Sequence, residues 1–273
     1  MAMSRHILGV RIDSLSPSEA LIKASSFLSG TRSSKIFTPN PEMLVKAATD
    51  PYFKNVLNSG DLNICDGFGI SLVSGFRIKR VTGVDFMRDI SRLAEEKNYS
   101  VYLLGSGSQT VMQKAAANLQ HQFPRLQIIG ADPGPRITEA TCHSERSEES
   151  LSQSSNGQRF FASLKMTNDN DEVIRDIQSK QPAILFVAFG MGKQEKWIHE
   201  NLSKLPSVKV AMGVGGSFDY LSGRLRRSPR LMQVLGLEWL YRLFVQPQRI
   251  GRIFNATFKF LYYYYVRSKR EKH

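Results

Sequence analysis

The chain has 273 residues, 41% of them hydrophobic, and a formal charge of +13. That length and apolar content suit one large or two small α/β units with a real core. No apolar run approaches the roughly 18 residues that a transmembrane helix needs, the N-terminus MAMSRHILGVRI lacks a long apolar segment and a cleavage site, and two cysteines, Cys65 and Cys142, make no disulfide framework. The expected location is therefore reducing and cytoplasmic.

In chain order, residues 7–12 predict a short strand. Pro17–Leu28 predicts a helix with Ser16 as N-cap and Pro17 in its first turn. The apolar run Lys35–Phe37 predicts a core strand that stops at Thr38-Pro39-Asn40-Pro41, and helices follow over Pro41–Ala48 and from Asp50-Pro51. Leu62–Cys65 predicts a second core strand, ending at Asp66-Gly67. Phe68–Phe76 and Thr82–Lys97 predict helices. Ser100–Leu104 predicts a strand running into Gly105-Ser106-Gly107, with a helix from about Ser108 to Gln122. Leu126–Ile129, Ala183–Ala188 and Val208–Met212 predict strands; Asp171–Lys180 and Gln194–Leu205 predict helices. This β-α alternation predicts an α/β, Rossmann-like, mainly parallel sheet with helices on both faces.

Two stretches break the pattern. Residues 136–168 contain CHSERSEESLSQSSNGQRFFASLKMT, which is Ser-rich and aperiodic, and predict a disordered, functionally silent insertion within a core of residues 1–223. Residues 224–273 carry nine Arg and three Lys against Glu238 and Glu271, a net +10 of the chain's +13. There Leu231–Val245 and Arg249–Val266 predict helices in which cations alternate with Trp239, Tyr241, Phe244, Phe254, Phe258, Phe260 and Tyr262–Tyr265. Such an arm suits an anionic membrane surface, nucleic acid or a phosphorylated substrate.

Ligands of alternating α/β proteins sit beyond the carboxyl ends of the strands. If both early apolar runs are parallel strands, Thr38, Asn40 and Asp66 share that rim: a carboxylate able to take a proton, flanked by a hydroxyl and an amide able to orient a substrate. Each can equally be a turn or cap residue. Gly105-x-Gly107 opens a helix, but Thr110 stands where a dinucleotide fingerprint has its third glycine, so a full NAD site is not expected; a helix start near a diphosphate, or a plain tight turn, both fit. Lys193 can neutralise phosphate, and Gln194 and Glu195 can read hydroxyls or a base edge. Asp169-Asn170-Asp171 matches a metal-binding Asp-x-Asp but reads better as a solvated helix cap. Trp197 is expected in the core and His199 in a structural role. Cys65 has no evident His partner, which disfavours a thiolate nucleophile.

The segments TPNPEML, ICDGFGI, RVTGVDF, VYLLGS, FVAFGMGKQEKWI, VGGSFDYLSG and RSPRLMQVLGLEWLYRLFVQPQRIGRI follow one another in order. Together they resemble the WecG/TagA/CpsF glycosyltransferases over nearly the whole chain apart from the insertion. The resemblance implies inverting, metal-independent transfer of N-acetylmannosamine from its UDP donor to N-acetylglucosamine on undecaprenyl diphosphate, forming a β linkage in cell-surface polysaccharide or teichoic acid synthesis, with no cofactor. It implies Asp66 as general base beside Thr38 and Asn40, Gln194 in the pocket, and Arg80 at the diphosphate. It also implies a C-terminal helical appendage, from about Arg224, that binds the inner face of the membrane and closes over the site, with Arg227, Arg230, Arg242, Arg249 and Arg252 as its candidates, and a homo-oligomer in solution. Other readings are a different UDP-sugar donor (N-acetylmannosaminuronate or glucose), a nucleic-acid module built on the basic arm, or an enzyme crippled by the insertion. Two departures from the family pattern are Met191-Gly192, where an apolar residue and Pro are common, and the turn ADPGP.

Overall fold

The computed structural model describes residues 4–105, 108–135, 170–234, 237–245, 251 and 254–270. Two small strands come first, β1 (Ser4–Ile7) and β2 (Val10–Asp13), followed by α1 (Pro17–Leu28). The main sheet is built from β3 (Ser34–Phe37), β4 (Leu62–Asn63), β5 (Ser100–Gly105), β6 (Gln127–Asp132), β7 (Ile184–Ala188) and β8 (Val210–Gly213). Its order is β4-β3-β8-β7-β5-β6 and every neighbouring pair is parallel. The helices between strands are α2 (Pro41–Thr49), α3 (Pro51–Asn58), α4 (Phe68–Val73), α5 (Gly83–Lys97), α6 (Gln109–Gln122), α7 (170–180) and α8 (Lys193–Asn201). After β8 come α9 (Ser217–Leu221), α10 (Arg230–Val234), α11 (Glu238–Val245), a π-helical segment at Asn255–Lys259 and α12 (Phe260–Arg270).

The central strands are buried on both faces, which is why they read as unbroken apolar runs. Ile184, Phe186 and Ala188 point into one cluster with α1, α5, α6 and α9; Leu185 and Val187 point into the other with α2, α3, α7 and α8. Local chemistry fixes the helix starts. The Ser16 side chain accepts from Glu19 N and the Glu19 carboxylate takes the Ser16 N–H, a capping box worth about 1 kcal/mol. Asn40, Asp50 and Thr82 cap α2, α3 and α5 by accepting from Met43 N, Phe53 N and Asp85 N, and Pro follows the cap in the first two.

Several boundaries differ from the sequence expectation: β6 runs over Gln127–Asp132 rather than Leu126–Ile129, Leu231–Val245 is divided between α10 and α11, and the last helix begins at Phe260 after a π-helical segment. Residues 7–12 do not form one strand: the chain reverses at Leu8 (φ 53°) and Gly9 (φ 80°), and β1 and β2 pair antiparallel outside the main sheet. Two consecutive positive φ values make the tight turn whose twist suits a hairpin. The second core strand pairs only over Leu62–Asn63, although Ile64 and Asp66 continue the run by donating to Phe37 O and Pro39 O, both at 3.0 Å. The helix expected to reach Phe76 ends at Val73, where Gly75 N bonds Leu72 O and Phe76 N bonds Ser71 O, the paired bonds of a Schellman stop. The helix expected to run to Leu205 ends at Asn201 in a short 3₁₀ turn. The insertion at 136–168 lies outside the described residues.

Among the described residues, the C-terminal region meets the core through its last helix and through an ionic cluster. Phe260, fully buried, joins the core cluster beside α2, its ring edge beside Gly69, and the Tyr264 hydroxyl donates to Val73 O at 3.2 Å. The ionic cluster borders the site.

Candidate active site

The β3 and β4 strands end side by side, and the bonds to Phe37 O and Pro39 O carry their two exits outward in step. Thr38 and Asp66 therefore emerge at one rim, Thr38 buried and Asp66 half-buried. Two glycines hold the exits close. A Cβ on Gly67 would sit 2.4 Å from Pro41 Cδ and 3.5 Å from Asn40 Cα, so the Asp66-Gly67 turn packs directly on the start of α2. A Cβ on Gly83 would sit 3.3 Å from Asp66 Oδ2 and 3.5 Å from Thr38 Oγ1. The first residue of α5 thus faces both groups, and the positive end of a 15-residue helix lies against the Asp66 carboxylate. Asn40 spends its Oδ1 on Met43 N, at 3.0 Å, in capping α2. Cys65, one residue away, is no nucleophile: burial pushes its thiol up to about 12, and it donates to Gly67 O.

Along the same edge of the sheet, the loops after β7 and β8 are tied together by α8. Gln194 Oε1 accepts from Gly215 N at 2.9 Å, and Gln194 Nε2 donates to Glu195 Oε1 at 2.7 Å. The other oxygen, Glu195 Oε2, accepts from Gly192 N at 2.7 Å. A Cβ on Gly213 would lie 2.8 Å from Gln194 Nε2, so β8 needs glycine for this side chain to lie across it. Glu195 is wholly buried, and burial raises its pKa from 4.5 to about 7. Gln194 and Glu195 are thus inward members of a brace, with both oxygens of the carboxyl engaged. Lys193 is half-buried at the first turn of α8. Its neighbour Lys196 is buried and pairs with Asp50 at 3.4 Å over the rings of Tyr52 and Phe53.

Gly105 closes β5 at φ 122°, with Ala188 backbone atoms 2.6–2.9 Å from where a Cβ would stand, so no side chain fits. Gly107 lies outside the described residues. Trp197 is in the core as expected, its Nε1 donating to Asn170 Oδ1 at 2.8 Å, which draws Asn170 of the Asp-x-Asp stretch into a structural contact. His199 Nδ1 lies 2.8 Å from Ser59 Oγ, also structural.

The ionic contact with the C-terminal region runs along the segment leading from Arg80 into the first turn of α5 at Asp85. Val81 N donates to Cys65 O at 2.8 Å, which sets this segment beside Asp66. Arg80 Nη2 donates to Glu238 Oε2 at 2.7 Å and Nη1 to Gln233 O at 3.1 Å. Arg227 grips Asp85 with both terminal nitrogens, Nη2 reaching Oδ2 at 2.7 Å, and Nη2 also reaches Thr82 Oγ1 at 3.2 Å. Burial would raise the Asp85 pKa, but the bonds from Arg227 and Thr82 outweigh it and hold the carboxyl below its ordinary value. Arg230 is exposed at the start of α10 and Arg242 lies in α11; Arg249 and Arg252 fall outside the described residues. Sequence reasoning missed Gly83, Asp85 and Glu238. A glycine at the first position of an otherwise strong helix was the available signal for Gly83.

Several known proteins are similar to this chain. A Bacillus spizizenii protein named N-acetylglucosaminyldiphosphoundecaprenol N-acetyl-beta-D-mannosaminyltransferase is 28% identical over 235 residues, 85% of this chain and 79% of its own length. Proteins of the same name from Bacillus subtilis (28% identical, 81% of this chain, 75% of its own length) and Staphylococcus aureus strain MRSA252 (27%, 90% and 87%) are similar to it. Residues 5–273 match the glycosyl transferase WecG/TagA/CpsF family, and the chain belongs to that family.

Proposed function

We propose that this glycosyltransferase moves N-acetylmannosamine from UDP-N-acetylmannosamine to the N-acetylglucosamine of a diphosphoundecaprenol acceptor, with inversion to a β linkage and without a metal or cofactor. The name shared by its relatives supports the substrates. The observation that carries the catalytic reading is the convergence of Asp66, Thr38 and the Gly83 end of α5 at one strand rim.

In this reading the acceptor hydroxyl attacks the anomeric carbon in line while Asp66 takes its proton. The bond from that carbon to the UDP oxygen breaks, and UDP leaves with the electron pair. Thr38 and the amide N–H groups of Asn40, whose carbonyl oxygen is committed to the α2 cap, orient the sugar hydroxyls. The leaving diphosphate needs positive charge or backbone N–H groups, and Lys193 with Gly105 and Gly107, ahead of α6 in the chain, is assigned to it. Gln194 and Glu195 shape the donor wall by bracing the loops after β7 and β8. Arg80, Arg227 and Arg230, with Arg242, Arg249 and Arg252, serve the acceptor diphosphate and an anionic membrane surface. In this reading the protein works peripherally at the cytoplasmic face, is a dimer or trimer in solution with the monomer active at the membrane, and does not take nucleic acid as its partner. Among the described residues no helix is long and apolar enough to cross a membrane.

The test is UDP release from UDP-N-acetylmannosamine with a short-chain prenyl-diphosphate-N-acetylglucosamine acceptor in EDTA. Acceptor-dependent turnover that collapses in Asp66→Asn is expected. Turnover undiminished in that variant removes Asp66 from its role, and turnover only with another UDP-sugar changes the donor.

A further inference from the structure

The core itself carries an apolar, cationic projection that the assigned chemistry does not use. It is the stretch from Leu72 to Lys79, at the end of α4. Leu72 is 47% exposed and Phe76 62% exposed, although Ile78 between Phe76 and Lys79 is fully buried. Arg77 and Lys79 are exposed on either side of Ile78.

The projection is firmly held. Phe76 N and Gly75 N close the Schellman stop on Ser71 O and Leu72 O. Arg77 O accepts from Ser14 Oγ at 2.7 Å, Ile78 N donates to Ser74 Oγ at 3.2 Å, and Ile78 O accepts from Ser71 Oγ. Phe76 sits at φ 57°, in the left-handed region that a bulky aromatic side chain seldom occupies. Its ring rests only partly on Phe68, 6.1 Å between centroids. A fixed backbone therefore displays an aromatic tip to solvent, flanked by cations.

We propose that this tip, Leu72 and Phe76 with Arg77 and Lys79, is a membrane contact of the core, entering the interface of an anionic bilayer independently of the basic C-terminal arm. The inference rests on the membrane-peripheral reading above. Its chemistry is that of interfacial segments, apolar rings entering the acyl boundary while cations meet anionic head groups. Continuity supports it: Tyr264, in the helix that also exposes Tyr262 and Tyr265, bonds Val73 O immediately beside Leu72. Position supports it as well. A few residues on, Val81 is bonded to Cys65 O next to Asp66, so a seated tip holds the Asp66 rim near a lipid-borne acceptor.

The experiment uses the full chain with Cys142→Ser and Leu72→Cys, labelled at position 72 with an environment-sensitive fluorophore. The remaining Cys65 is buried and does not compete for label. Vesicles of phosphatidylcholine with phosphatidylglycerol, and of phosphatidylcholine alone, are added while flotation is measured in parallel. A severalfold emission rise with a blue shift is expected on the anionic vesicles alone, and adding Phe76→Ser should abolish it without lowering Tm. Protein that floats with no emission change overturns the tip as a contact and leaves the arm as the anchor. Protein that does not float overturns the membrane reading and the tip together. An emission rise that follows protein concentration without vesicles assigns the tip to a second copy of the chain and overturns the proposal.

Discussion

Two carboxyl groups stand on the same edge of the sheet, and they differ in burial. Glu195 is wholly buried, and each of its oxygens already holds a donor, one from Gln194 and one from Gly192 N. Asp66 is half-buried, faces the bare Gly83 at the start of α5, and has a threonine hydroxyl beside it. The difference bears on the proposed roles. A carboxyl whose oxygens are both engaged in the interior fixes loops, whereas the half-buried Asp66 at a strand exit has the accessibility that the proposed proton transfer requires.

The largest effect that sharpens this contrast is expected at Asp66. General-base catalysis typically contributes about 10²- to 10⁴-fold, so Asp66→Asn should lower kcat by that order while leaving Tm within about 2 °C, since a half-buried group at a strand exit bears little of the core. The measurement is steady-state UDP release beside a thermal melt. A variant that melts early and also loses activity would show the carboxyl to be structural.

Glu195 should show the reverse, a stability effect. Its folded pKa of about 7 stands above the ordinary 4.5. The folded state therefore holds a proton that the unfolded state has already released between those two pH values. The stability this proton provides is complete below about pH 4.5 and is lost as pH rises to about 7, on the order of 3 kcal/mol from this group alone. Glu195→Gln keeps the shape and removes the titration, so the difference in urea midpoint between wild type and variant should change steadily across that window and level off above it. A difference that is flat with pH would mean that the two donors hold Glu195 ionised throughout.

Gly83→Ala tests how closely the reacting side is built. The added methyl falls 3.3 Å from Asp66 Oδ2, tighter than ordinary contact, and the carboxyl must move by a few tenths of an ångström. Misplacing a catalytic group by about 1 Å can cost about 10²-fold, so a loss of about tenfold in kcat is expected here. Alanine is the better helix former, so Tm should hold or rise slightly. Unchanged kcat would show that the Asp66 carboxyl has room to shift without penalty.

Much of this was legible in the sequence, for physical reasons. Strands buried on both faces must be apolar throughout, so AILFVA announces β7 and SVYLL announces β5. Polar turn residues directly after apolar runs put Thr38, Asn40 and Asp66 at strand exits. The hairpin was not legible, because Leu8 takes a left-handed conformation that sequence reserves for Gly or Asn. Nor was the inward turn of Gln194 and Glu195. A polar helix start normally faces solvent, and here it is covered because Gly213 lets Gln194 lie across β8 and Gly215 offers it an N–H. The partners of Arg80 and Arg227 were out of reach for another reason: they lie 158 and 142 residues away in the chain, and no local pattern encodes such a pair.

Those pairs give the smallest expected effect. Arg227 is about one-fifth exposed and Asp85 about half, so water screens much of their attraction. A double-mutant cycle with Arg227→Ala and Asp85→Ala should return a coupling of about 1 kcal/mol, fading in 1 M salt, where the screening length is about 3 Å. The coupling is expected in the cleavage rate of the chain after Arg224 under limited proteolysis, because the pair fastens that region to the core, and hardly at all in the global melt. Arg227→Ala should also raise KM for the lipid acceptor more than for the donor, since Arg227 sits where α10 and α11 approach the segment beside Asp66. Equal rises in both constants would mean that the bond merely props the site as a whole. Asp85→Ala separates the two roles again: it releases the fastening but leaves the cation, so proteolysis should quicken while acceptor KM rises less than in Arg227→Ala.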